Sequence, residues 1–303
     1  MMDYIYVGLY HLFRFLATAT PDALQRPILR GIARTIHGLD RKHRHIARVN
    51  LDLAFGDRMS PSEKARIVRK TYENMVFNLA FFLAHQNDTP KEVLRYVTIE
   101  GKEHLDAALR HGPVILVTAH YGNWELLPRI FAAIQGPVTV VGRPLDSKKM
   151  DAILRRSREM FGIEMVEKRG AMKGLLHALR QGRNVGLLVD QNTSDKDGIL
   201  IDFFGKKARH TPAAAILARG LGLSIVPLFL SSEDHRHFKL TIYPPIQTAK
   251  TADKESDIAR SVQAQADITE KVIRQKPDEW FWLHQRWKNQ YEHLYNKENE
   301  REG

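Results

Sequence analysis

The chain has 303 residues, 46 Lys and Arg against 35 Asp and Glu, a formal charge of +11, and no cysteine. The missing thiols exclude disulfides, thiolate nucleophiles, zinc–thiolate sites and iron–sulfur clusters, and 43% hydrophobic with 27% charged residues excludes a chain disordered throughout. The positive surplus asks for an anionic partner: nucleic acid, an anionic membrane or a phosphorylated substrate.

Tyr4–Ala19 is rich in aromatics and leucine but carries His11 and Arg14, so it falls short of the about 20 apolar residues of a spanning helix. It reads as an interfacial helix whose apolar side chains sink to the headgroup boundary while Arg14 snorkels. Arg26, Arg30, Arg34, Arg41, Lys42, Arg44 and Arg48 follow, against one acid, Asp40. An apolar segment plus a polybasic one supplies the two signals of stable peripheral anchoring. The plainer alternative is a first helix docked on the core with a solvated basic face.

Ser60-Pro61-Ser62-Glu63 opens a helix with a Ser N-cap, Pro at the first position and Glu three residues after the cap. Apolar residues keep a helical period from Ala65 to about Ala84. Residues 1–95 therefore form a helical, basic, membrane-associating region. The pattern then changes. Continuous apolar, β-branched runs at 113–119, 137–142, 163–167, 185–190 and 224–230 predict buried strands, with helical segments near 124–134, 147–161, 170–181 and 211–221. Strands alternating with helices predict an α/β core over 96–295, built on a mixed, mostly parallel sheet flanked by helices. Phe238–Tyr243 adds an edge-like strand and 256–275 a long polar helix, while 296–303 reads as a flexible tail.

Ligands of open α/β sheets bind beyond the carboxyl ends of the strands. The run ending at Ala119 leads directly into His120-Tyr-Gly-Asn-Trp-Glu125, which sets a histidine where a general base is useful. Gly122 would allow a tight turn and Asn123 would cap the following helix. His120 and Glu125 would lie about 140° apart on one helix, so they meet only if His120 sits on a loop and the helix starts later. Asp190, at the end of another predicted strand, competes to orient the imidazole. His43/His45 and His235/His237 lack a third ligand and read as solvated surface, so no metal is expected.

The motif His120-x4-Glu125 resembles the H-x4-(D/E) signature of glycerophosphate and lipid A acyltransferases. Gly142-Arg-Pro-Leu145, Leu188-Val-Asp-Gln191, Asp202-Phe-Phe-Gly205 with Ala208 and Thr211-Pro212, and Trp282-Leu-His-Gln-Arg-Trp-Lys288 resemble further blocks of the lipid A branch, in the family's order, over about 45–290.

The resemblance implies transfer of a fatty acyl group from acyl carrier protein to a hydroxyl of a lipid A precursor, Kdo-lipid IVA or a lauroylated form. The setting it implies is the cytoplasmic face of a bacterial inner membrane, with the N-terminal segment as anchor. Family relatives that acylate other glycolipids, such as phosphoinositide mannosides, give the alternative acceptor. His120 would take the hydroxyl proton, and Glu125 or Asp190 would fix the imidazole. Arg143, Asn123 or loop amides would serve the oxyanion, and Arg143, Lys206 or Arg209 a phosphate. Arg286, with its neighbours Trp282, His284 and Lys288, would pack or bind substrate near the membrane edge. No cofactor is required. Two other classes fit less well. A nucleic-acid-binding protein has only the charge in its favour, since RNP-type, zinc-finger and helix-turn-helix signatures are absent. A serine hydrolase would need the missing G-x-S-x-G elbow, and P-loop and HExxH motifs are absent as well.

Overall fold

The computed structural model describes residues 2–142 and 147–296. Arg143 and the tail after Asn296 lie outside the described residues. The N-terminal part comprises α1 (Met2–Ala19), α2 (Asp22–Leu39), α3 (Arg41–Phe55), α4 (Pro61–Ala84) and the single turn α5 (Pro90–Val93). Helix α4 starts at the foreseen capping box. The Ser60 hydroxyl accepts from the Glu63 amide, and the Glu63 carboxylate accepts from the Ser60 amide at 2.9 Å, which satisfies two amides that a helix start otherwise leaves open. Leu29 and Ala33 of α2 pack against Val76, Phe77 and Ala80 of α4, so these helices share a core of their own.

The strands are β1 (Val97–Glu100), β2 (Ile115–Thr118), β3 (Val138–Gly142), β4 (Glu164–Glu167), β5 (Asn184–Leu188), β6 (Ile199–Phe203), β7 (Lys206–His210), β8 (Ile225–Ser232) and β9 (Phe238–Ile242). Between and after them run α6 (Lys102–Leu109), α7 (Leu127–Gln135), α8 (Lys148–Glu159), α9 (Ala171–Arg180), α10 (Ala213–Leu221), α11 (Lys254–Gln275) and α12 (Lys288–Asn296). Among the described residues the order is β1-β9-β8-β2-β5-β3-β4, a seven-stranded mixed sheet, with β6 and β7 forming a separate hairpin. Pairings β2–β5, β2–β8, β3–β5, β3–β4 and β1–β9 are parallel, and β8–β9 is antiparallel.

The apolar runs are continuous because both faces of the sheet are covered. Ile115 and Val117 of β2 meet Leu175 and Leu179 of α9 and Leu217 of α10 on one face. Leu116 meets Leu127, Ile130 and Phe131 of α7 on the other. Two strand expectations need correction. Phe238–Tyr243 is not at an edge: β9 is flanked by β8 and by β1, a strand unforeseen because its four residues alternate half-buried with exposed. The β6–β7 hairpin was also unforeseen, since Asp202, Lys206 and Lys207 interrupt its apolar pattern; its inward Ile201, Phe203 and Ala208 join a core with Val262 of α11 and Trp280 and Trp287.

Candidate active site

Register brings the site together. Thr118 of β2 lies opposite Leu188 of β5, so two residues further along each chain His120 and Asp190 stand level at the carboxyl edge of the sheet. The His120 Nδ1 and Asp190 Oδ1 atoms are 2.8 Å apart, and the His120 backbone amide donates to Asp190 Oδ2 at 3.0 Å. The Trp280 indole N–H donates to the same Oδ2 at 2.8 Å. A carboxylate only 3% exposed therefore keeps its charge through fixed donors.

This contact sets the tautomer. Nδ1 carries the proton toward the carboxylate, and Nε2 presents a lone pair, 3.3 Å from Gln191 Nε2. Burial pulls the imidazole pKa down, but the charge and hydrogen bond of Asp190, with the charge of Glu125, outweigh it and leave the pKa raised. Asp190 shows the complement. Burial pushes it up, and the nearby imidazole with the three hydrogen bonds holds it well below the usual carboxylate range. A histidine held this way can accept a proton at Nε2 and stabilise the resulting charge.

Glu125 has a different place. Helix α7 begins only at Leu127, so both His120 and Glu125 lie on the preceding loop, and Glu125 is exposed at the cavity rim. Among the described residues no hydrogen bond joins Glu125 to His120. Of the two carboxylates left open by the spacing, Asp190 makes the contact.

The His120 loop is clamped from the C-terminal side. Its carbonyl accepts from the Phe281 amide at 2.9 Å, and the Gly122 amide donates to the Glu279 carbonyl at 3.0 Å. The Asn78 side chain donates to the Gly122 carbonyl, and Asn123 donates back to the Asn78 carbonyl. Asn123 thus ties the loop to α4 instead of capping the next helix as expected, though it also lines the cavity. Gly122 has a φ of 57°, and a Cβ there would sit 1.6 Å from the Leu230 carbonyl oxygen. Only glycine lets the loop lie this close to β8.

His120 opens on a cavity of about 2150 Å³. Its walls are largely apolar, from Leu9, Leu12 and Phe13 of α1 and Leu79 and Phe82 of α4 to Trp124 and Phe281 beside the imidazole. Lys168 and Arg169, both exposed, also line it. Two of the expected cations, both among the described residues, sit elsewhere. Lys206 is exposed on the hairpin and Arg209 pairs with Asp195 at 2.9 Å, and neither lines the cavity. Arg286 is fully buried. Its guanidinium donates to the carbonyls of Gln191 and Arg209, faces His210 Nδ1 at 3.3 Å, and lies over the Phe203 ring. It braces the loop after Asp190 from behind, so of the two readings, packing or substrate binding, its burial agrees with packing.

From Trp282 to Trp287 the surrounding block is not a helix, and α12 begins only at the exposed Lys288. Trp282 and Trp287 are fully buried, and His284 Nε2 accepts from the Asn192 amide at 2.8 Å. Burial lowers the His284 pKa to about 4, so it stays a neutral acceptor. His235 is also corrected: it is buried, stacked on Phe77, and pushed down to about 4 by burial. Sequence reading missed Trp280, Gln191, Asn78, Lys168 and Arg169. For Trp280 a signal existed, since three of the chain's four tryptophans crowd into 280–287.

The bacterial lipid A biosynthesis acyltransferase family model matches residues 1–289. The chain belongs to this family. It is similar to the lipid A biosynthesis lauroyltransferase of Escherichia coli (strain K12), 27% identical over 80% of this chain and 78% of that one. It is also similar to the lipid A biosynthesis myristoyltransferase of the same organism, 25% identical over 87% and 81% of the two chains. The palmitoleoyltransferase of that organism is 23% identical over 92% and 86%. Among solved structures, the 1-acyl-sn-glycerophosphate acyltransferase PlsC from Thermotoga maritima aligns with 85% of this chain and 98% of its own, at 13% identity and a TM-score of 0.39. That likeness is too loose to bear on the site. The protein is an acyltransferase, and the five sequence blocks now have positions: four of them supply or brace the loops around His120 and Asp190, and the fifth, Gly142–Leu145, is described only at Gly142.

Proposed function

We propose that this acyltransferase moves a fatty acyl group from an acyl carrier protein thioester to a hydroxyl on a lipid A precursor, with His120 as general base. The observation that carries the reading is the His120–Asp190 pair, its Nε2 turned toward an apolar cavity large enough for acyl chains. The acceptor hydroxyl oxygen attacks the thioester carbonyl carbon while its proton passes to Nε2. The tetrahedral intermediate then collapses, the C–S bond breaks, and the imidazolium returns the proton to the leaving thiolate. Asp190 stabilises the transient imidazolium. The chain holds no cysteine for an acyl-enzyme, and the direct route needs none. Lys168 and Arg169 at the rim would meet acceptor phosphates.

The test is incubation with acyl carrier protein thioesters and Kdo-lipid IVA or its lauroylated form, followed by mass spectrometry. A single added acyl mass on the glycolipid is expected. Acylation of a phosphoinositide mannoside alone, or transfer from coenzyme A thioesters alone, would replace that acceptor or donor.

The same reading places the protein on the cytoplasmic face of the inner membrane. Among the described residues no helix is long and apolar enough to cross a membrane. On α1, however, Leu9 and Leu12 are 57% exposed and Phe15 64%, and on α2 Leu39 is 80% exposed. Leu9 and Leu12 also line the cavity, so a docked α1 would open the mouth onto the bilayer. Basic side chains, Arg34, Lys42 and Arg48 among them, are exposed nearby in sequence. Flotation with anionic vesicles should recover the protein. Replacing Leu9, Leu12 and Phe15 together by Ser should weaken that binding by more than about 100-fold, because each side chain loses roughly 1.5 kcal/mol or more of burial. Equal flotation of the triple variant would remove α1 as the anchor.

A further inference from the structure

A base at His120 handles the proton, but the attacked carbonyl oxygen needs a donor of its own, because it gains negative charge as the hydroxyl adds. The backbone amides around the imidazole are already engaged. The His120 amide donates to Asp190 Oδ2 at 3.0 Å, Tyr121 to the Ala119 carbonyl at 2.7 Å and Gly122 to the Glu279 carbonyl at 3.0 Å. Asn192 donates to His284 Nε2 at 2.8 Å and Phe281 to the His120 carbonyl at 2.9 Å. The Asn123 side-chain amide, one of the expected oxyanion donors, is held by the Asn78 carbonyl at 3.3 Å.

Gln191 differs from all of these. It lines the cavity, and its Nε2 lies 3.3 Å from His120 Nε2. Since Nδ1 carries its proton toward Asp190, Nε2 presents a lone pair, and only the N–H side of the Gln191 amide can face it. Among the described residues the Gln191 side chain makes no other hydrogen bond. Consecutive residues therefore hold the two ring nitrogens, Asp190 at Nδ1 and Gln191 at Nε2. The backbone that carries Gln191 is fixed from behind, because the buried Arg286 guanidinium donates to its carbonyl at 3.5 Å and the next amide is bound to His284. The Trp124 and Phe281 rings, 5.2 and 6.2 Å from the imidazole, crowd the same place with apolar surface, where a hydrogen bond to a charged atom counts for more than in water.

We propose that Gln191 is a further catalytic residue, whose side-chain amide donates to the thioester carbonyl oxygen as that oxygen becomes an oxyanion. This rests on the acyl-transfer reading above. The acceptor hydroxyl needs the Nε2 lone pair, so it displaces the Gln191 N–H from it. The displaced N–H then lies within one hydrogen-bond length of the carbonyl that the hydroxyl attacks, since both reactants meet at the Nε2 edge of the ring. As the O–C bond forms, the C=O π pair moves onto oxygen and the hydroxyl proton moves to Nε2. Gln191 gives a hydrogen bond and no proton. When the C–S bond breaks, the carbonyl re-forms, the thiolate takes the proton from Nε2, and the amide returns to the lone pair. The same exchange keeps the base capped until an acceptor arrives.

The experiment compares wild type with Gln191→Met, which keeps a similar volume without a donor, and with Gln191→Glu, which keeps the shape but offers only acceptors. Single-turnover acyl transfer from an acyl carrier protein thioester is followed by mass spectrometry against substrate concentration and pH. In Gln191→Met the rate at saturating substrates should fall by about 10²- to 10³-fold, the usual effect of removing one oxyanion donor, with half-saturating concentrations within about threefold of wild type. Its rate–pH midpoint should not move, because in the loaded enzyme the hydroxyl and not Gln191 occupies Nε2. Gln191→Glu should be at least as slow, since it turns a negative charge toward the oxyanion. A saturating rate within a few-fold of wild type in either variant overturns the proposal. A raised half-saturating concentration with the rate kept would make Gln191 a binding residue, and a shifted midpoint in Gln191→Met would make it a positioning residue for His120; either result also overturns it. Thermal unfolding checks both variants, and if Gln191→Met does not fold, the same readings on Gln191→Ala decide. Absence of any acyl product from wild type would instead count against the acyl-transfer reading itself.

Discussion

Replacing His120 by Ala is expected to lower acyl transfer by about 10²- to 10⁴-fold, the usual worth of a positioned general base. The fold should survive. The His120 backbone bonds, from its amide to Asp190 and from Phe281 to its carbonyl, do not depend on the imidazole. The substitution removes one partner of the buried Asp190 carboxylate but leaves it two donors, the backbone N–H of residue 120 and the Trp280 indole. Some stability is lost, because a buried charge with fewer partners is penalised. Thermal unfolding should show a lowered but still cooperative transition, while product mass falls away. Activity within a few-fold of wild type would remove His120 as the base.

Asp190→Asn is expected to be about as severe, roughly 10³- to 10⁴-fold, by analogy with removal of the acid in hydrolase triads. The reason lies in the donors. His120 N–H and Trp280 N–H both point at the Oδ2 position, so the amide oxygen of Asn would take that place. Its NH₂ group would then face Nδ1 and force the imidazole proton onto Nε2, the atom that must accept. A pH profile separates this from a merely structural loss. In the wild type the His120 pKa is raised above its ordinary 6.5, and the protonated ring cannot act as a base. The rate should therefore climb with pH through a midpoint above 6.5. In the variant, burial still pulls the pKa down while the main opposing charge is gone, so the residual activity should titrate at lower pH. An unshifted midpoint would show that Asp190 does not tune His120. Stability carries the opposite sign for the two partners. The raised histidine contributes below about 6.5 and loses its contribution as pH rises through the folded value. The depressed aspartate contributes above about 3.9 and loses its contribution only in strong acid.

Much of the architecture was legible because burial on both faces leaves a continuous β-branched run, as in the residues before His120 and Asp190. Short or alternating strands left no such mark, so β1 and the β6–β7 hairpin went unseen and β9 was misjudged as an edge. The candidate site divides the same way. His120 and Asp190 were visible as polar residues closing two apolar runs. Arg286 was left open between packing and substrate contact, because sequence spacing does not show that backbone carbonyls and the Phe203 ring hold its charge inside.

The amino-acid order by itself determined the α/β class, the family blocks, the amphipathic basic start and the absence of a thiol. These depend on local pattern and composition, which survive without any knowledge of contacts. The tertiary structure alone decided that Asp190 and not Glu125 reaches His120, because that depends on the Thr118–Leu188 register between strands 70 residues apart. It also turned Trp280 and Arg286 into braces. Each of those roles is set by what lies opposite in space, and sequence spacing carries no measure of that.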